Sequence, residues 1–276
     1  MILETQTTSE RQAPAPVRSS DLLAVSYGGG TNSTAMLCGF RERGIKPDLI
    51  LFADTGAEMP HTYEYLKVMQ DRVREWWGME IAVVRKLYQG EHEGLEGQCL
   101  RRKELPGLAY GHKSCSIKYK GEPQDNALKK WAKENGHPMP IRKAIGFDAG
   151  ESHRTRPTSA APDIWWPWYP LVEWQWWREE CQGAICRAKM PQPGKSSCYF
   201  CPAMKRSEVV RLKEQHPELL NRALAIEDAA QETVTTKRGL GGQGNLWREW
   251  LAMDDAQVKL MLDIEPHETP CGCIDG

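Results

Sequence analysis

Two cysteines three positions apart carry the clearest chemical signal in this sequence. Cys198 and Cys201 form a CxxC pair, a spacing that lets two thiolates reach one metal ion from a single turn. Cys115 stands upstream, and Cys181 and Cys186 shortly precede the pair. Four thiolates can hold Zn²⁺ or a [4Fe–4S] cluster, and the spacing by itself allows either. The pattern predicts a thiolate metal centre.

A run of three glycines, Gly28 to Gly30, is the second feature with chemical meaning. Thr31, Asn32 and Ser33 follow it and suit the first turn of a helix. The free amides of such a turn, the helix N-terminus and nearby hydroxyls, including that of Ser26, can bind an anion. A Walker loop would need a lysine after the glycines, and a dinucleotide fingerprint would need a glycine in place of Ser33. The sequence therefore predicts a phosphate-binding loop outside both classes.

Strands and helices must position these residues, and the hydrophobic pattern of the sequence predicts where those elements lie. Short apolar runs predict strands at 22–25, 49–53, 81–84 and 141–147, and helical spacing predicts helices that end near residues 44, 78 and 135. Strands that alternate with helices through short connections predict a parallel sheet covered on both faces. Asp54, Thr55 and Gly56 follow the second strand, so we expect them at the carboxyl edge of the sheet, beside the glycine loop.

Composition limits the classes of function. The chain has 276 residues and a formal net charge of −1, which argues against a general nucleic-acid coat but leaves a nucleic-acid substrate open. No apolar run approaches the ~20 residues of a membrane helix, and residues 1–20 lack a signal-peptide core. Nine cysteines without a secretion signal predict reduced thiols. We expect a cytoplasmic protein that does not bind a membrane, and the sequence does not predict its oligomeric state.

Several short motifs follow one another along the chain. They are Gly28–Thr34, Phe52–Glu58, Gly146–Arg154, Tyr169–Trp174, Lys195–Pro202, Gly239–Gly241 and Trp247–Arg248. In this order they resemble the phosphoadenosine phosphosulfate (PAPS) reductase-like family of the adenine nucleotide α-hydrolase, or PP-loop, superfamily, in its branch from bacteria and phages. Two positions depart from the family pattern, because Asn32 stands where the loop usually carries Asp and Gly28 where it usually carries Ser.

The resemblance implies a Rossmann-like α/β fold, with a parallel twisted sheet, helices on both faces and a Cys/Trp-rich, helical C-terminal part. It implies an enzyme, either a PAPS reductase-like oxidoreductase or a PP-loop ATP pyrophosphatase or sulfurtransferase. The ligand would be an adenine nucleotide, namely ATP with Mg²⁺ or the sulfonucleotides APS and PAPS, and a thiol reductant or sulfur-donor protein would be a partner. The nucleotide-binding residues implied are Ser26, Gly28, Gly29, Gly30, Thr31, Asn32, Ser33, Asp54, Thr55, Gly56, Lys118, Glu151 and Arg154.

The resemblance also favours a [4Fe–4S] cluster over Zn²⁺ at the cysteines. Related reductases carry a Cys-Cys pair where this chain has Ser114 and Cys115, so one ligand must come from elsewhere. Cys181 and Cys186 lie about 140° apart on a predicted helix, so only one of them is expected to face the site. We choose Cys181, which gives the predicted ligands Cys115, Cys181, Cys198 and Cys201.

Two cysteines near the C-terminus, Cys271 and Cys273, are candidate nucleophiles. Their context is loosely similar to the ECGxH segment that holds the catalytic cysteine of the reductases. Thiols of this kind could attack sulfur or form a disulfide, and an extra metal site or an inert end is the alternative.

The predicted organisation has four parts: an arm at 1–20, a nucleotide-binding α/β domain at 21–156, a Trp/Cys-rich and helical region at 157–265 packed on it, and a tail at 266–276. Six tryptophans fall within residues 165–177. They are interpreted as packing around the metal centre, with a stacking platform for bases as the alternative.

Overall fold

Five parallel strands form the central sheet of the protein, in the order β3-β2-β1-β4-β5. The computed structural model describes residues 22–88, 94–155 and 162–252. The predicted arm and the tail with Cys271 and Cys273 lie outside them. The sheet strands are β1 (Leu23–Tyr27), β2 (Leu49–Asp54), β3 (Ile81–Arg85), β4 (Ile141–Ile145) and β5 (Trp165–Trp168). A short antiparallel hairpin pairs β6 (Arg238–Gly239) with β7 (Gly242–Gln243).

Helices lie between and after the strands. They are α1 (Thr31–Glu42), α2 (Pro60–Trp77), α3 (Gly94–Arg102), α4 (Ser114–Ser116), α5 (Glu122–Glu134), α6 (Pro170–Glu173), α7 (Arg178–Arg187), α8 (Arg206–Gln215), α9 (Pro217–Gln231) and α10 (Trp247–Leu251). A π-helical turn at Ile117–Gly121 joins α4 to α5. The predicted α/β fold with a parallel sheet is confirmed. The fifth strand comes from the Trp-rich segment, so the sheet extends past the boundary predicted at residue 156.

The sheet is covered on both faces because side chains of a strand alternate between them. Val25 and Tyr27 of β1 lie in one hydrophobic cluster, which α1, α2 and α7 complete. Ala24 lies in a second cluster on the other side, with Leu128 of α5. All five residues of β1 are buried, as expected for the central strand of a parallel sheet.

Two charged residues are buried in β4, and aromatic and acidic partners make this possible. The guanidinium of Arg142 lies 4.3 Å from the ring centroid of Trp166. Lys143 Nζ lies 3.3 Å from a carboxylate oxygen of Asp125 and 4.8 Å from the ring of Trp165. Burial lowers the pKa of Lys143, and Asp125 opposes that shift. The strand predicted at 141–147 is present at Ile141–Ile145, although its sequence IRKAI mixes charged with apolar residues.

Trp168 and Trp174 pack on α1 rather than around the CxxC pair. Trp168 stacks on Phe40 at 5.3 Å, and Trp174 meets Phe40 edge-on at 5.8 Å. Gly39 provides the space, because a Cβ there would lie 2.4 Å from Trp174. The interpretation that the indoles surround the cysteines is wrong, since Cys198 and Cys201 belong to a different hydrophobic cluster.

That third cluster forms the C-terminal helical part. Helices α3, α8 and α9 contribute to it together with Tyr199 and Phe200. No helix among the described residues is long and apolar enough to cross a membrane.

Candidate functional site

The loop from β1 to α1 lies at the carboxyl edge of the sheet, as predicted. Gly29 adopts a φ of +78°, which favours glycine. Gly30 caps α1, and its carbonyl oxygen accepts the amide of Thr34 at 3.1 Å. Ser26 is buried and its hydroxyl donates to Gln124 Oε1 at 2.7 Å. The loop therefore directs the N-terminus of a 12-residue helix to this edge, where an anion is favoured.

Close contact with the end of β4 fixes the position of this helix. A Cβ on Gly146 would lie 2.9 Å from both the backbone nitrogen and the Cα of Ser33. Real Cβ atoms do not approach backbone so closely, so any side chain at 146 would displace the first turn of α1. The segment after β4 thus belongs to the support of the loop.

Asn32 connects the loop to the acidic segment 148–151. Its amide nitrogen donates to Asp148 at 3.1 Å and to Glu151 at 2.8 Å, and its oxygen accepts from Arg178 at 3.2 Å. Arg154 in turn pairs with Glu151. A carboxylate in place of Asn32 would bring a third negative charge to this cluster, so the neutral amide at this position suits its surroundings.

Of the three residues predicted to bind the nucleotide after β2, Asp54 and Thr55 have different roles in the structure. Asp54 accepts hydrogen bonds from Tyr63 at 2.7 Å and from the amide of Gly56 at 2.8 Å, and it pairs with Arg85. Its carboxylate therefore holds the end of β2. Thr55 points elsewhere, because its hydroxyl donates to Glu58 at 3.0 Å and lies 3.3 Å from Cys198 Sγ.

An extended segment links the glycine loop to the CxxC pair. The hydroxyl of Ser196 donates to the carbonyl oxygen of Gly28. The next residue, Ser197, accepts the amide of Met59 at 2.9 Å, and the amide of Tyr199 donates to Ala57 at 2.9 Å. These bonds align residues 196–199 with the turn after β2. The first cysteine of the pair is therefore two residues from a contact with the loop.

Three of the four predicted metal ligands line one cavity. Cys115, Cys198 and Cys201 share it with Thr55 and Lys120. The cavity has a free volume of ≈ 20 Å³, which is room for about one water molecule. No three His, Cys, Asp or Glu side chains within 22–88, 94–155 and 162–252 lie close enough to hold a metal ion directly. The donor chemistry of three thiols fits a thiophilic metal, and a [4Fe–4S] cluster would require the cavity to widen.

The choice of Cys181 as fourth ligand is wrong. Cys181 lies on α7, fully buried in the cluster that α1 and the sheet form, whereas Cys198 and Cys201 contact the other cluster. Burial raises the pKa of its thiol to about 12, with a further contribution from Asp148. Cys186 is exposed at the other end of the same helix. Helical periodicity predicted that only one of Cys181 and Cys186 faces the protein interior. It could not predict which hydrophobic cluster that cysteine would join.

Three buried polar atoms around the loop and the cavity have no hydrogen-bond partner among the described residues. They are Gln124 Nε2, Thr62 Oγ1 and Glu58 Oε2. Gln124 and Thr62 both lie at the loop. Oε1 of Gln124 accepts from Ser26, and the methyl group of Thr62 would lie 3.0 Å from a Cβ on Gly29. Oε1 of Glu58 accepts from Thr55 and lies 3.4 Å from Lys120 Nζ, so Oε2 is the oxygen of this carboxylate that is left unpaired. Unpaired buried polar atoms are rare in native proteins and often indicate an absent water, ion or ligand.

The structure separates the three charged residues that the family motifs had suggested. Glu151 and Arg154 lie beside Asn32, at the loop. Lys118 instead lines a second, polar cavity with Gln98, Arg102 and Glu104, to which no residue of the glycine loop contributes. A nucleotide-binding role for Lys118 stays a prediction, without support from its position.

Sequence reasoning missed several residues of the site. Ser196 could have been found, because it stands two residues before the CxxC motif. Gln124 and Arg178 gave no signal, since they lie on helices distant in sequence and only the fold brings them to Ser26 and Asn32.

No protein-family model matches the sequence, and no curated protein matches it. Among solved structures, the chain is similar to the U34-tRNA thiolase NcsA from Methanococcus maripaludis with its [4Fe-4S] cluster. The identity is 14%, the TM-score is 0.41, and the match covers 91% of this chain and 83% of that chain.

Proposed function

We propose that this protein is an adenine-nucleotide-dependent enzyme of sulfur chemistry, of the PP-loop superfamily and its PAPS reductase-like family. The observation that carries the proposal is the hydrogen bond from Ser196 to Gly28, because it ties a phosphate-binding loop to the segment that holds the CxxC thiols. An anion site and a thiol site with a shared wall suit a reaction in which a bound nucleotide activates or delivers sulfur.

The loop would bind the phosphates or phosphosulfate of the nucleotide. Amides of Gly29 to Ser33 and the α1 N-terminus favour the negative charge, and the unpaired atoms of Gln124 and Thr62 offer further polar contacts. When ATP is the substrate, Mg²⁺ would accompany it. Glu151 would act through Asn32, to which it is hydrogen-bonded, and Arg154 would act through its ion pair with Glu151.

Cys115, Cys198 and Cys201 would hold the iron–sulfur cluster or, alternatively, Zn²⁺. Three protein thiolates leave one coordination position for solvent or substrate. Such a centre supplies a Lewis-acidic or redox-active site for sulfur. Anaerobic preparation with metal analysis tests the assignment: we expect iron and sulfide that are lost in Cys198→Ser and retained in Cys181→Ser. Stoichiometric zinc without iron would contradict the cluster.

The first candidate reaction is reduction of a sulfonucleotide. A thiolate of Cys271 or Cys273 would attack the sulfur of APS or PAPS and displace the nucleotide. A second thiol, from the tail or from a thiol reductant, would then release sulfite as the two thiols form a disulfide. Sulfite release from APS or PAPS that disappears in Cys271→Ser or Cys273→Ser is the expected result.

The second candidate is an ATP pyrophosphatase. It would transfer the adenylyl group of ATP to an acceptor, a nucleic acid or a small molecule, and release pyrophosphate before sulfur is inserted. Pyrophosphate release from ATP, without sulfite release from PAPS, would select this reaction. A protein that binds nucleotide and yields neither product would be a nucleotide-sensing, metal-binding module.

A further inference from the structure

A second cavity adjoins the cysteine cavity at Cys115. It has a volume of ≈ 210 Å³ and shares Cys115, Leu95 and Pro106 with the cysteine cavity. The rest of its wall comes mainly from α3 and residues 104–119, and none of it from the glycine loop. A molecule in this cavity would reach Cys115 from a direction separate from the nucleotide loop.

The charges of this wall favour an anion. Arg102 and Lys118 contribute positive charge, and Glu104 is the acidic residue of the wall. Glu104 is already engaged, because it accepts from Gln98 at 2.7 Å and lies 3.6 Å from Arg102. Lys118 makes no hydrogen bond or ion pair with any residue that the structure describes. An unengaged ammonium in a polar recess attracts a negatively charged ligand.

The volume of the cavity is small for a nucleotide. Pockets for drug-sized ligands have volumes of about 300 to 1,000 Å³. The ≈ 210 Å³ found here is smaller, and it suits a compact ion with some solvent. The hydroxyl of Ser114 and the imidazole of His112 add hydrogen-bonding groups to the same wall. Several donors around a small volume match the several oxygens of an oxyanion.

We propose that this cavity binds a small sulfur-bearing oxyanion, of which thiosulfate is the simplest example, and places it against the thiol of Cys115. The inference rests on the proposed function, since it assigns the route by which inorganic sulfur reaches the cysteine site. Lys118 is the residue that selects for negative charge. Cys115 lines both cavities and is the cysteine that they share.

Alkylation of the metal-free protein tests this selection without any catalytic assay. The probes are iodoacetate, which is an anion, and iodoacetamide, its neutral analogue, with the rate at each cysteine read by mass spectrometry. We expect the ratio of the iodoacetate rate to the iodoacetamide rate to be about tenfold higher at Cys115 than at the exposed Cys186. Because both reagents attack the same thiolate, this ratio is independent of the fraction of thiol that is ionised.

Two variants and one competitor complete the experiment. Lys118→Gln should lower the ratio at Cys115 to that of Cys186, whereas Lys113→Gln, at a neighbouring exposed lysine, should leave it unchanged. Thiosulfate should slow the alkylation of Cys115, and sodium chloride at the same ionic strength should not. Equal ratios at Cys115 and Cys186, or no protection by thiosulfate, would overturn the proposal.

The same wild-type preparation separates this inference from the proposed function. Binding of ATP, APS and PAPS is measured beside the alkylation rates. Anion selection at Cys115 without nucleotide binding would refute the nucleotide enzyme and leave the oxyanion site standing. Nucleotide binding without anion selection would refute only the oxyanion site.

Discussion

The side-chain oxygen of Thr55 lies 3.3 Å from Sγ of Cys198, across 143 positions of sequence. Thr55 directly follows the second strand, and Cys198 begins the CxxC motif. Their contact places a thiol at the carboxyl edge of a parallel sheet, which is the edge where α/β proteins bind ligands. The hydroxyl of Thr55 also donates to Glu58, so the position of this thiol is linked to a buried carboxylate.

The first prediction concerns the bond between Ser196 and Gly28. Ser196→Ala removes a hydroxyl from a buried site and leaves the Gly28 carbonyl without that donor. We expect ATP or PAPS to bind about five- to tenfold more weakly, the equivalent of one lost hydrogen bond of about 1 kcal/mol. Isothermal titration calorimetry measures the change.

A control hydroxyl away from the loop is available in Thr233. It also bonds backbone carbonyls, those of Lys103 and Ala230, but Thr233 is exposed and follows α9 in the C-terminal helical part. Thr233→Val should leave nucleotide affinity unchanged. An equal loss of affinity in both variants would show that the effect of Ser196→Ala is general destabilisation.

The second prediction concerns Gly146, where a side chain would collide with the backbone of Ser33. Gly146→Ala forces the first turn of α1 or the end of β4 to move, because the contact would be 2.9 Å. Backbone displacement by overpacking costs about 1 to 3 kcal/mol, and here the cost falls on the phosphate loop. We expect nucleotide affinity to fall more than tenfold while the far-UV circular dichroism spectrum stays the same.

Gly136→Ala has open space around its Cβ but a φ of +65°, so it reports the effect of backbone strain alone.

Comparison of sequence and structure shows which parts of this site could be predicted. Strand β1, the glycine loop and Asp54 followed from local patterns, because an apolar run, a turn and a helix start are each encoded by adjacent residues. Partners brought together by tertiary contact could not be predicted, and the assignment of Cys181 failed for that reason. Its helix packs on α1, so its thiol faces the core of the sheet rather than the CxxC pair. Ser196 is an intermediate case. The sequence shows that it belongs to a motif, but not that it bonds Gly28.

The third prediction concerns the reactivity of the thiols. Burial raises the pKa of Cys38 and Cys181 to about 12, so both are neutral at pH 8 and shielded from reagents. Iodoacetamide at pH 8 should modify the exposed Cys186 and leave these two intact, as read by peptide mass spectrometry. Rapid modification of Cys181 in the folded protein would contradict its placement in the core.

The same shifts predict how stability depends on pH. The folded pKa of each thiol lies above the unfolded value of 9.0, so the contribution to stability is complete below pH 9. It is lost as the pH rises toward 12, by about 1.4 kcal/mol per thiol for each pH unit. Urea unfolding at pH 8 and pH 10 should show a lower free energy of unfolding at the higher pH.

The last prediction concerns the ion pair between Lys120 and Glu58 at the wall of the cysteine cavity. Lys120 Nζ lies 3.4 Å from a carboxylate oxygen of Glu58, and the Glu58 side chain is fully buried. Lys120→Met leaves that carboxylate without its cation, which we expect to lower the free energy of unfolding by about 3 to 5 kcal/mol. Adding Glu58→Gln removes the uncompensated charge and should restore most of the loss. Chemical denaturation of the two single variants and the double variant measures the coupling, and additive losses would mean that the pair does not act as a unit.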